Sequence, residues 1–174
     1  MSEQEADFGQ TLEAMLASAH SRQVSPAVIV VDHGSRREES NQLLLVVAEN
    51  FQRATGLKIV EPAHMELAEP SIRTAFDRAV QQGAELIIVF PYFLSPGRHW
   101  HQDIPQLAAE ACQRHPGTRF LVTAPLGLHS LMLQVIQDRI AECVREASHD
   151  SHSFDVCDDQ GGYSFDQDTA DDEK

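Results

Sequence analysis

Two short runs constrain this chain more than any other feature: "VIVV" at Val28–Val31 and "IIVF" at Ile87–Phe90. Apolar residues stand at every position of both runs, so a strand there is covered on both faces. That cover calls for helices, and the pattern supplies them. Strands read at Ala27–Val31, Leu57–Val60, Glu85–Phe90 and Arg119–Val122, and helices at about 38–55, 70–82, 103–114 and 128–146. Gly56, Gly83 and Gly117 stand where helices close before the next strand. Four strand–helix repeats give an α/β class, with a parallel sheet joined by right-handed crossovers. The expected arrangement is a single flavodoxin-like domain of four strands in the order 2-1-3-4, with helices on both faces.

The chain has 174 residues, which suits one domain over residues 26–148. Before it, Phe8, Leu12, Met15, Leu16 and Ala19 fall at helical spacing, so residues 1–25 read as an amphipathic helical extension. After it, residues 149–174 are rich in Asp, Ser and Gly and read as an acidic disordered tail. From Asp150 onward there are nine acids and one base, so the tail carries −8 of the net −14. Nucleic-acid binding is not expected of such a surface. No apolar run is long enough to span a bilayer, and the acidic start is unlike a targeting peptide, so a cytoplasmic protein with no membrane partner is expected. Cys112, Cys143 and Cys157 are widely spaced and read as reduced thiols.

In an open parallel sheet, ligands bind beyond the carboxyl ends of the strands. Here those ends carry "DHGSRR", "EPAHMELAEPS", "PYFLSPGRHWHQDIP" and "APLGLH", whereas the opposite ends, such as "ATGL" and "QQGA", are plain turns. With the switch point between the first and third strands, His33 and His99 face each other across one crevice. Glu66 or Glu69 lies beside them, and His64 is a further candidate. Two imidazoles and a carboxylate suit a divalent first-row transition metal. The acids have a competing role at a helix N-terminus, and Asp103 reads as a helix cap.

The segments "VDHGSRREESN", "EPAHMELAEPSI", "PYFLSPGRHWHQDIP" and "TAPLGLH" together resemble the short sirohydrochlorin chelatases of the CbiX/SirB group, over about Val28 to Val144. Within that group they look most like the siroheme ferrochelatases of plants and cyanobacteria. The resemblance implies an ATP-independent chelatase that inserts Fe²⁺ into sirohydrochlorin, with Co²⁺ as the other metal to consider. It implies His33, His99 and Glu66 as catalytic and metal-handling residues, and a homodimer that completes the cleft. Plant-type members hold an iron–sulfur cluster on cysteines in the tail. This tail has only Cys157, so no cluster is expected in this chain.

Metal insertion expels two pyrrole protons, so the site needs a base near the ring and a metal that can be released. Histidine suits both tasks. Sirohydrochlorin carries eight carboxylates around an apolar face. On that basis Gly34, Ser35, Arg36, Arg37, Gly97 and Arg98 are candidates for its rim, and Phe93, Leu94 and Trp100 for its face. Two other functions compete. A phosphohistidine phosphatase also places His-Gly-x-Arg after its first strand, but Asp32 stands where an Arg should hold phosphate. A non-catalytic carrier of metal or tetrapyrrole would use the same crevice without accelerating insertion.

Overall fold

The structure, a computed structural model, describes residues 25–95, 97–127 and 129–147. The expected N-terminal helix and acidic tail lie outside the described residues. Chain contacts divide the protein into two compact units, Met1–Leu128 and His129–Lys174.

The first unit holds β1 (Pro26–Asp32), α1 (Glu38–Thr55), β2 (Val60–His64), α2 (Ile72–Gln81), β3 (Leu86–Pro91), a π-helical turn (His99–Asp103), α3 (Ile104–Gln113) and β4 (Arg119–Val122). All strand pairs are parallel, in the order β2-β1-β3-β4. This is the arrangement expected from the sequence. β1 shows why "VIVV" has no alternation. Ala27, Ile29 and Val31 join Ile72, Phe76, Ile104 and Ala108 of α2 and α3 in one core. Val28 and Val30 face the other way and pack with Leu44 and Ala48 of α1.

The helix ends follow local chemistry. Glu38 and Glu39 lie in the first turn of α1, where acids complement the helix dipole. Gly56 closes α1 in the left-handed region at φ 68°, and its N–H reaches Gln52 O. Ser71 caps α2 by accepting from Thr74 N.

β2 departs from the sequence reading. It runs over Val60–His64, beginning where the expected strand at Leu57–Val60 was to end. Pro62 lies inside the strand, and proline cannot donate to a ladder. Among the described residues, however, β2 is an edge strand paired only with β1, so the missing N–H costs it nothing. The consequence is that His64 belongs to the strand, not to a loop.

The second unit contributes α4 (Ser130–Ala147). Cys143, on α4, is disulfide-bonded, which corrects the reading of three reduced thiols. Cys112 is a free thiol.

Candidate active site

The carboxyl ends of β1, β2 and β3 bring three of the expected residues together. His33 follows the last residue of β1, and Glu66 stands two residues beyond β2. His33 Nε2 lies 2.8 Å from Glu66 Oε1, and both side chains are about half exposed. His99 begins the π-helical turn after β3. Its ring centroid is 5.2 Å from that of His33, with the rings 76° apart. His33 and His99 therefore do meet across the β1–β3 switch point.

The loops after β1 and β2 are fastened to each other by backbone. Met65 N–H donates to Asp32 O, and Glu66 N–H to His33 O, at 2.9 and 3.1 Å. Gly34 has φ +82°, and a Cβ there would stand 2.0 Å from Glu66 O. No other residue type fits without moving the chain. Ser35 is clamped by a residue that sequence reasoning missed: Asn41, buried on α1, accepts from Ser35 N and donates to Ser35 O. The signal was available, since Asn41 leads the helical row completed by Leu44 and Ala48, and a buried amide needs partners. The Ser35 hydroxyl accepts from Arg37 N.

The remaining candidates separate. His64 is fully buried against Asp32, at 2.6 Å, and lies off the exposed edge. Glu69 accepts from Ser71 N and Thr74 Oγ1 at the start of α2. The Ser71 N–H, followed by the Thr74 hydroxyl, holds the Glu69 carboxyl below the ordinary carboxylate range. Of the two acids, Glu66 is thus the one beside His33.

On the β3 side, Asp103 is no helix cap, in contrast to the sequence expectation: it makes no capping bond. The π-helical turn before α3 extends the helical path through Asp103, so its carboxylate turns to side chains. It lies 2.8 Å from His99 Nδ1 and 3.6 Å from Arg98 Nε. As the ionised carboxylate only accepts, His99 Nδ1 donates and Nε2 is the ring nitrogen left for a ligand. Trp100 is half-buried, and its Nε1–H donates to Thr123 O. Phe93 packs against the core, whereas Leu94 is 63 % exposed. Among the described residues, nothing lies within 4 Å of a Cβ added at Gly97. Arg36 is exposed, and Arg37 lies 4.0 Å from Glu39. Among the described residues, no set of three or more His, Cys, Asp or Glu converges tightly enough to hold a metal ion.

Residues 27–143 match the CbiX family. The chain is 54 % identical over 130 residues to "Sirohydrochlorin ferrochelatase, chloroplastic" of Arabidopsis thaliana, covering 75 % of this chain and 58 % of the relative. It is 44 % identical over 81 residues to a sirohydrochlorin cobaltochelatase of Methanocaldococcus jannaschii, covering 47 % of this chain and 57 % of that protein. Among solved structures, SirB from Bacillus subtilis with Fe³⁺ is similar at a TM-score of 0.63 and 30 % identity, over 66 % of this chain and 46 % of the other. The chain spans about half the length of these relatives.

Proposed function

We propose that this chain, which belongs to the CbiX family, is a sirohydrochlorin ferrochelatase that inserts Fe²⁺ without ATP. The observation that carries the reading is the meeting of His33, Glu66 and His99 at one exposed sheet edge. Insertion exchanges two ring protons for one divalent metal, so two protons are released for each metal taken up. His33 Nε2 already lies 2.8 Å from Glu66 Oε1, close enough for the two to relay a proton leaving the ring. His99, oriented by Asp103, offers Nε2 as a metal or proton acceptor. The three groups are not drawn into a closed ligand shell. That openness suits a metal that is substrate, since a complete four-ligand site holds its ion too firmly to hand it on.

Arg36, Arg37 and Arg98 provide cations for the peripheral carboxylates of the macrocycle, and exposed Leu94 and half-buried Trp100 an apolar contact for its face. Two copies complete the cleft in this reading, one covering each face of the ring. Among the described residues, no helix is long and apolar enough to cross a membrane. The same His₂–carboxylate set accepts Co²⁺, and the cobaltochelatase relative favours that as the second reading.

The test is anaerobic turnover of sirohydrochlorin with Fe²⁺, Co²⁺ and Ni²⁺, followed by absorbance. Fe²⁺ is expected to react fastest. His33→Ala and His99→Ala are expected to lose nearly all insertion while circular dichroism stays native. Binding of metal and tetrapyrrole with no product from the wild type would make the chain a carrier. Wild-type rates in both variants would move the chemistry elsewhere.

A further inference from the structure

We infer that Asp32 and His64 form a positioning pair that sets the His33–Glu66 geometry; the inference rests on the function proposed above. The two residues are register partners at the ends of β1 and β2. Val28 and Val30, on the same face of β1, are buried apolar residues. At the next step the apolar row gives way to a carboxylate and an imidazole. His64 is fully buried, and its Nε2 has no hydrogen-bond partner among the described residues. A buried polar atom left unpartnered opposes folding, and an apolar pair would avoid that cost. Fold stability therefore gives no reason for this pair.

Its connections supply one. Asp32 Oδ1 accepts from His64 Nδ1 at 2.6 Å and from Gly34 N at 2.9 Å. The Gly34 N–H belongs to the peptide that follows His33. The carbonyl end of the same peptide is held too, because His33 O accepts from Glu66 N. His64 in turn has its own N–H on Pro70 O, across the loop that carries Glu66. One carboxylate oxygen thus links the peptide after His33 to a side chain two residues before Glu66. A shift of His64 reaches both members of the His33–Glu66 contact. Neither Asp32 nor His64 touches substrate in this proposal; each acts through the pair it orients.

The experiment compares the full chain with His64→Leu, which keeps apolar bulk and removes the donor, and His64→Asn, which returns a donor near the position of Nδ1. Asp32→Ala, at a site only partly buried, serves if His64→Leu does not fold. In crystals of the His64→Leu variant, the His33 Nε2–Glu66 Oε1 separation is expected to exceed hydrogen-bond distance. Its affinity for Co²⁺ alone, by titration calorimetry, is expected to fall roughly 10- to 100-fold, as for other residues that orient ligands. Turnover should lose kcat, with KM for sirohydrochlorin within about twofold. His64→Asn should recover most of each loss. If His64→Leu only lowers Tm, with the His33–Glu66 contact and Co²⁺ affinity unchanged, the inference is overturned; failure of His64→Asn to recover overturns it as well. A wild type that neither binds Co²⁺ nor inserts metal would defeat the proposed function instead, and the crystallographic comparison would still decide the role of the pair.

Discussion

The two walls of the crevice are built on different principles. The wall after β1 and β2 is fixed chiefly by backbone: strand-end hydrogen bonds and a glycine at φ +82° hold the loops of His33 and Glu66, and the buried Asp32–His64 pair links them. The wall after β3 is fixed by side chains: Asp103 holds His99, and Trp100 reaches Thr123 O. Backbone fixation tolerates little substitution, because any shift moves a whole loop. Side-chain fixation is graded, because each bond can be weakened by itself. For the metal insertion proposed above the division is apt. One wall keeps a base pair of groups in register, while the other can yield as a flat macrocycle enters.

Matched glycine substitutions test this contrast most severely. Gly34→Ala places a methyl group against Glu66 O in a left-handed conformation, so it should destabilise the protein by about 2–4 kcal/mol. Insertion should fall about 100-fold, because the displaced loop carries a reacting group. Gly97→Ala meets open space, so its melting temperature should match the wild type. Thermal unfolding of both variants decides the point. Equal losses in the two would mean that the walls do not differ as described.

The same contrast explains what was legible in the sequence. Strand order, the ligand-binding edge and the convergence of His33 with His99 follow from apolar runs and from where the polar loops fall. These are pattern properties, and the fold preserves them. The extent of β2 is not legible from apolar runs, because Glu61 and Pro62 interrupt the apolar pattern while a proline is harmless in an edge strand. With β2 displaced, His64 read as a loop residue when it is a buried strand end. Asp103 was misread for a related reason. A carboxylate before Ile-Pro looks like a cap, and only the π-helical turn places it on the helical path beside His99. Spacing alone gives no sign of that turn.

Asp103→Asn is the corresponding probe of the β3 wall. It keeps the shape but removes the charge that fixes the His99 tautomer. We expect kcat to fall roughly 10-fold, with the fold intact and a far smaller stability change than in Gly34→Ala. Trp100→Phe removes the bond to Thr123 O and should cost about 1 kcal/mol in chemical denaturation. Phe keeps the apolar contact proposed for the macrocycle, so if Trp100→Phe also abolishes turnover, the bond to Thr123 O is indispensable and this wall is less yielding than proposed.

The smallest effect belongs to Glu69, which lies in the β2 loop yet outside the meeting of His33, Glu66 and His99. Its carboxyl is held below the ordinary range chiefly by Ser71 N–H and then by the Thr74 hydroxyl. A depressed carboxylate stabilises the fold fully above its unfolded pKa and loses that contribution as pH falls through the folded one. The loss thus lies on the acid limb, below about pH 4.3. Glu69 is exposed, so solvent screens the effect and keeps it small. Wild type and Glu69→Gln should differ slightly in Tm at pH 7, and the gap should close as pH is lowered towards 3. Turnover at pH 7 should be the same in both. A gap that persists at pH 3 would show that Glu69 starts α2 by its shape alone. A loss of turnover without loss of stability would instead move Glu69 into the site, and the backbone-fixed wall would then end in two working carboxylates where the present reading gives it one.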